Sequence, residues 1–403
     1  MSVQSRIPVT LVTGFLGSGK TTLINAALRS PALAKTVVVV NEFGEVGLDH
    51  QLFASSSDSV VVLENGCLCC TVRSDLVGTL NSLYHARQAG EIAAFDNVVI
   101  ETSGLAEPAP VLQAFLSEPT LDGLYRVASV LTLVDAVNWP GTSEAHEESV
   151  RQVALADRIR ITKLDMVAGD RQNGPSGIRL DLRRINPSAE IAEVDWSSLA
   201  VGKLLTSPGF DTADPYADPR PWLNVQAFQE TANDYDACGD HHDHHDHDNA
   251  RHAQSHHLDR KGIENFVLTR ESPLLREEVQ FLLDGIAQNL GPGLLRVKGL
   301  VNIAEEPGRP AVIQGAQHLL HTMTWLDRWP DSDNRTRIIF ITQGILRDSL
   351  KDVIDLLDRV SSRTFKARAR GRKAASDDTE RMSSTSEVGQ QACGPDAAEH
   401  RIA

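Results

Sequence analysis

The sequence predicts an α/β protein in two parts: a mainly parallel sheet with helices on both faces, then a smaller C-terminal α+β domain. Three observations carry this. Through the first half, short apolar β-branched runs alternate with amphipathic stretches. A Pro-, Asp- and His-rich stretch of little periodicity, residues 208–260, breaks the pattern. Patterning then resumes at Ile263 in a different strand and helix order.

The strands of the first part are expected at Val9–Thr13, Thr36–Asn41, Val60–Glu64, Asn97–Glu101, Ser129–Asp135, Arg158–Thr162 and Glu190–Val194. Helical periodicity falls between most of them, over Lys20–Leu28, Ser74–Ala89, Pro108–Leu116, Ser149–Ala156 and Ile178–Ile185. Strands that are apolar throughout suit a sheet buried on both faces. The expected units are residues 5–207, a flexible linker 208–260, a second domain 261–362 and a polar, disordered tail 363–403. In the second domain, strands at Ile263–Leu268, Leu294–Ile303, Ala311–Gln314, Thr322–Leu326 and Ile338–Thr342 are joined by helices at Ser272–Asn289 and Leu346–Leu357.

Composition narrows the function classes. The chain has 403 residues and a net charge of −15, which argues against a nucleic-acid surface. No apolar run is long enough to span a membrane, and Met1–Pro8 has no apolar signal core. A soluble, cytoplasmic protein is expected. Three of the five cysteines, Cys67, Cys69 and Cys70, fall within four residues, a spacing that suits metal or redox chemistry better than structural disulfides.

Gly14-Phe15-Leu16-Gly17-Ser18-Gly19-Lys20-Thr21 fits G-x-x-x-x-G-K-[ST], with a strand before it and a helix from Thr22 onward. In such a P-loop the glycines let backbone N–H groups face phosphates, and the helix N-terminus adds its positive dipole end. Lys20 is expected to reach the β- and γ-phosphates and Thr21 to ligate Mg²⁺, with Thr22 also among the nucleotide contacts. Asn97–Glu101 followed by Thr102-Ser103-Gly104 supplies a second element. Glu101 would orient the Mg²⁺ shell, and the Gly104 N–H would sense the γ-phosphate. Thr162-Lys163-Leu164-Asp165 at another strand end suits guanine. Asp165 would accept from the base's N1–H and 2-amino group, and the Lys163 stem would stack on the ring. Adenine would leave that carboxylate unpaired, a penalty of roughly 1–3 kcal/mol.

Cys67-Leu68-Cys69-Cys70 places three soft ligands in one turn after a strand. Thiolates favour Zn²⁺, Cu⁺ or Co²⁺, and three of them leave a fourth position open, as a carrier needs. Asn41-Glu42-Phe43-Gly44-Glu45-Val46-Gly47 reads as a mobile switch that could bring Glu42 or Glu45 to a metal. The tract His241-His242-Asp243-His244-His245-Asp246-His247, with His252, His256 and His257, offers many weak ligands without fixed spacing, as a loading arm would.

Taken together, Gly14–Thr21, Asn41–Glu45, Cys67–Cys70, Glu101–Gly104 and Thr162–Asp165 resemble, in order, the P-loop metallochaperone GTPases of the CobW/HypB/UreG class. The resemblance extends to Leu295-Arg296-Val297-Lys298-Gly299, which looks like the class's Arg-x-Lys-Gly signature. It implies slow GTP hydrolysis coupled to metal binding at Cys-x-Cys-Cys, with Zn²⁺ or Co²⁺ passed to a client metalloprotein. A homodimer is among the assemblies it admits. One departure stands out: many members carry Glu before the Asn of the switch loop, where this chain has Val40. Two other readings are a metal buffer with a vestigial nucleotide site, and a P-loop kinase or ATPase with structural cysteines.

Overall fold

The computed structural model describes residues 6–41, 60–63, 70–167, 174–210, 218–224, 262–317, 319–320, 323–345, 348–356 and 359. The first sheet has seven strands: β1 (Ile7–Thr13), β2 (Thr36–Asn41), β3 (Val60–Leu63), β4 (Asn97–Glu101), β5 (Tyr125–Asp135), β6 (Arg158–Thr162) and β7 (Glu190–Glu193). They lie in the order β3-β2-β4-β1-β5-β6-β7, and each neighbouring pair is parallel. The strand order reverses at β1, so the turn after β1 opens into a crevice at the carboxyl edge.

Period-two alternation sends successive residues to opposite faces. Val9, Leu11, Val37, Val39, Val98 and Ile100 pack under helices α2 (Cys70–Ala89) and α3 (Ala109–Ser117). Val12, Val38, Val40 and Val99 pack on the other face under α1 (Lys20–Leu28). The rest of the layer is α4 (Pro119–Leu124), α5 (Trp139–Ala145), α6 (Glu147–Leu155), α7 (Pro175–Ile185) and α8 (Ser198–Thr206).

The boundaries differ from the sequence reading in physical ways. Helix α2 begins at Cys70, four residues before the expected Ser74. Strand β5 starts at Tyr125 instead of Ser129, because its first residues pair with Ile7–Val9 of β1. Within the stretch read as a linker, Pro219–Leu223 forms a short helix, α9, capped by Asp218, and Leu223 is buried.

The second sheet has six strands: β8 (Ile263–Arg270), β9 (Leu294–Val301), β10 (Ala311–Ala316), β11 (Leu319–Leu320), β12 (Thr324–Trp325) and β13 (Thr336–Gln343). It is antiparallel, in the order β11-β10-β9-β13-β8, with β12 also on β10. Helix α10 (Arg276–Leu290) and the helix at 348–356 cover one face. Leu223 of α9 packs on the other, with Leu300, Val312 and Ile339. The expected strand Thr322–Leu326 is shorter, with β12 at Thr324–Trp325, and β11 at Leu319–Leu320 lies before it and was not expected. The sheets meet through shared cores: Leu295 and Ile341 join the cluster of α6 and α7, and Ala316 joins that of α2 and α3. No helix among the described residues is long and apolar enough to cross a membrane.

Candidate nucleotide and metal site

The turn from β1 into α1 is built by its glycines. Gly14, Gly17 and Gly19 have φ of 140°, 73° and 97°, values that L side chains rarely adopt. At Gly14 a Cβ would also lie 2.4 Å from the Leu133 carbonyl oxygen of β5. Helix α1 starts straight after Gly19 with no side-chain cap and no acidic residue in its first turn. Its first N–H groups thus point into the turn without an anionic partner of their own.

Lys20, the first residue of α1, is buried, and its Nζ donates to the Gly14 and Phe15 carbonyls at 2.8 and 3.3 Å. The ammonium is curled into the concavity of the loop. Ser18 Oγ is buried there with no hydrogen-bond partner among the described residues. A cradle of N–H groups and an ammonium, with an unsatisfied hydroxyl, is a fit for phosphate oxygens.

Glu101 ends β4 and is buried; the Thr21 hydroxyl donates to its Oε1 at 3.2 Å. A carboxylate bonded to the P-loop threonine is a suitable hard-oxygen setting for Mg²⁺. Thr22, next along α1, is exposed. Gly104, three residues after Glu101, lies against the P-loop: a Cβ there would be 2.7 Å from the Leu16 nitrogen. This turn is held from behind by Gln152 of α6, whose Nε2 donates to the Gly104 and Ala106 carbonyls at 3.1 and 3.0 Å.

At the end of β6, the Thr162 hydroxyl donates to the Ser18 carbonyl at 2.9 Å and ties this strand to the P-loop. Lys163 takes a left-handed backbone (φ 57°) that turns the chain sharply. Its Nζ is paired with Asp135 at 2.7 Å. Asp165 lies exposed in the 3₁₀ turn Leu164–Met166. Asp135, at the end of β5, was not singled out from the sequence. It accepts from the backbone N–H groups of Val137 and Asn138 and from the Asn138 side chain. Burial alone would raise its pKa, but the Lys163 and Asn138 hydrogen bonds outweigh it and hold the carboxyl below its ordinary value. Its sequence signal was an Asp ending an apolar strand with Asn three residues on. Gln152 had no such signal, since its partners lie 46–48 residues away.

Cys67, Cys69 and Glu42, and the His241–His257 tract, lie outside the described residues; Cys70 opens α2. Among the described residues no group of three His, Cys, Asp or Glu could hold a metal ion. The strand that leads toward the cysteines, β3, is nevertheless placed. Leu63 of β3 is registered with Asn41 of β2, Val40 with Glu101 of β4, and Glu101 with Val12 of β1. The four strands end level, so the chain leaves Leu63 and enters the P-loop at the same edge, three strand spacings or roughly 14 Å apart.

Residues 8–193 match the family described as CobW/HypB/UreG, nucleotide-binding domain, and residues 263–356 match the cobalamin synthesis protein CobW C-terminal domain. The chain is 32% identical over 335 residues to the zinc chaperone YjiA of Escherichia coli, an alignment covering 83% of this chain and 93% of that one. It is 33% identical over 191 residues to a zinc chaperone CobW of a Sinorhizobium species, covering 41% of this chain and 52% of the relative. The crystal structure of Zn(II)-bound YjiA GTPase from E. coli superposes with a TM-score of 0.60 at 26% identity, covering 88% of this chain and 99% of that one. With a matched nucleotide-binding domain, a matched C-terminal domain and the P-loop geometry above, this chain belongs to the CobW family.

Proposed function

We propose that this chain is a GTP-hydrolysing metallochaperone that carries Zn²⁺ on Cys67, Cys69 and Cys70 and gives it up to a client protein. The observation that carries the reading is the level parallel edge on which β3, β2, β4 and β1 end. It sets the exits toward the cysteines, the switch loop and the phosphate cradle side by side. Zinc as cargo, ahead of cobalt, follows the relatives described as zinc chaperones.

In this mechanism the N–H groups of Gly17, Ser18, Gly19 and Thr21 and the Lys20 ammonium bind the β- and γ-phosphates. Thr21 and Glu101 would hold Mg²⁺, which would supply positive charge to the phosphate oxygens. The Gly104 N–H senses that phosphate. Thr162, Lys163 and Asp165 form the base site, Asp165 reading the guanine edge. Binding of GTP orders the loop after Asn41, bringing Glu42 and the three thiolates together. Hydrolysis removes the γ-phosphate contact and loosens the metal site for transfer, an order–disorder switch driven by differential contacts.

The test pairs two variants. Lys20→Ala should lose GTP turnover, and Cys67→Ser with Cys69→Ser should bind Zn²⁺ at least about 100-fold more weakly while GTP still binds. Unchanged turnover in the first, or unchanged zinc affinity in the second, would overturn the corresponding half of the proposal.

A further inference from the structure

The proposed base site has an edge reader in Asp165, but a purine also presents two faces. Lys163, the residue assigned from the sequence to one face, is tied to Asp135 at 2.7 Å. The segment between β7 and α8 also reaches this region. There the Val194 N–H still pairs with the Ile161 carbonyl of β6, and the Asp195 carboxylate accepts from the Ser197 N–H, fixing the turn that starts α8. Between these two anchors stands Trp196, with 43% of its surface exposed.

Its position is specific. The Trp196 Cη2 and the Thr162 methyl each lie 3.7 Å from where a Gly19 Cβ would be. The indole therefore stands where the P-loop and the Thr162–Asp165 turn meet, which is where a base must lie if its phosphates occupy the cradle. The other tryptophans are committed elsewhere. Trp139 is buried and donates to Asp181 at 2.9 Å; Trp222 stacks on Phe210; Trp325 lies under the Arg276 guanidinium; Trp329 packs on the second sheet. Trp196 makes no ring, cation or hydrogen-bond contact among the described residues. Its support is rigid, because α8 packs so closely on the chain after α1 that a Cβ at Gly202 would be 2.3 Å from Ser30 Oγ. A large, half-exposed aromatic ring on a rigid mount beside a nucleotide cradle is a stacking surface.

We propose that Trp196 is the stacking platform for the nucleobase, and that it supplies affinity without base selectivity while Asp165 supplies selectivity. This rests on the nucleotide-binding reading above. Base–aromatic stacking is tolerant of base identity because every base has a π-face, and its loss weakens binding by about 5- to 140-fold.

The experiment uses the full chain with GDP and inosine diphosphate, which lacks the 2-amino group. Calorimetry gives affinities, and tryptophan emission is read in parallel. GDP should quench the wild-type emission. Trp196→Phe should abolish the quench while keeping affinity within about 3-fold, since a ring remains to stack. Trp196→Ala should weaken GDP and inosine diphosphate by the same factor, in the range above. Asp165→Ala should instead shrink the preference for GDP. If Trp196→Ala binds GDP within 2-fold of wild type, or the quench survives in Trp196→Phe, the platform assignment is overturned. A wild-type chain that binds neither nucleotide would instead overturn the reading beneath it.

Discussion

Replacing Asp157 by Asn should destabilise the protein by about 3–5 kcal/mol, because it leaves two buried cations facing each other without a carboxylate between them. Asp157 precedes β6 and lies at the seam between the sheets. Its Oδ1 accepts from Arg296 at 2.8 Å and Lys298 at 2.5 Å, both on β9, and its Oδ2 accepts from the Val130 N–H at 2.9 Å. The side chains of Arg296 and Lys298 are 9% and 1% exposed, so water cannot replace the lost partner. Burial alone would raise the Asp157 pKa; the two cations overcome that and hold it far below the carboxylate range. Asparagine keeps an oxygen for Val130 and so isolates the charge. Asp157→Ala also strands that N–H and should cost about 1–3 kcal/mol more. Urea unfolding followed by tryptophan emission is the assay, with Trp222 a local reporter because its ring lies 5.2 Å from Lys298 Nζ. A loss below about 1 kcal/mol in Asp157→Asn would refute the reasoning, since that is what an exposed pair gives.

Burial, with repulsion from Arg296, pushes Lys298 down to about 8 from 10.5 against the pull of Asp157. Between those pH values the unfolded chain binds more protons than the folded one, so this group makes stability rise from pH 8 to 10.5. Lys298→Met should lack that rise, and identical pH profiles would contradict it. Gly14→Ala should abolish nucleotide binding, because its methyl meets the Leu133 carbonyl at 2.4 Å in a backbone conformation unsuited to Ala; calorimetry with GDP reads it. Glu101→Gln should raise the Mg²⁺ concentration for half-maximal GTP turnover by about 10- to 100-fold, as loss of a metal-orienting carboxylate does; an unchanged Mg²⁺ dependence would remove Glu101 from the metal shell.

What the sequence made legible was local. The P-loop could be read because its glycines, lysine and threonine sit at fixed spacing between an apolar strand and a helix, and the turn closes on itself through Lys20 and Gly14. The parallel sheet was legible because its inner strands are apolar on both faces, as in Val37–Val40. Short helices were less visible. Helices α4 and α5 span six and seven residues, too few for a periodicity, although Pro119 and Pro140 near their starts were usable signals. Strand β11 was not legible because a two-residue strand carries no alternation. Long-range partners were out of reach. Nothing near Arg296 in the sequence announces Asp157, 139 residues away, and the Gln152 brace on Gly104 is equally silent. Trp196 read as part of an unremarked connection until the fold set it beside Gly19.

The central claim is that one sheet edge lets the nucleotide state govern the affinity for metal. Its most direct measurement is a competitive Zn²⁺ titration of the intact chain with Mg²⁺ and a non-hydrolysable GTP analogue, repeated with GDP. Zinc should bind at least about 10-fold tighter in the triphosphate state, a coupling of roughly 1.4 kcal/mol. Equal zinc affinity in the two states would contradict the account, leaving the cradle and the cysteines as neighbours that do not communicate.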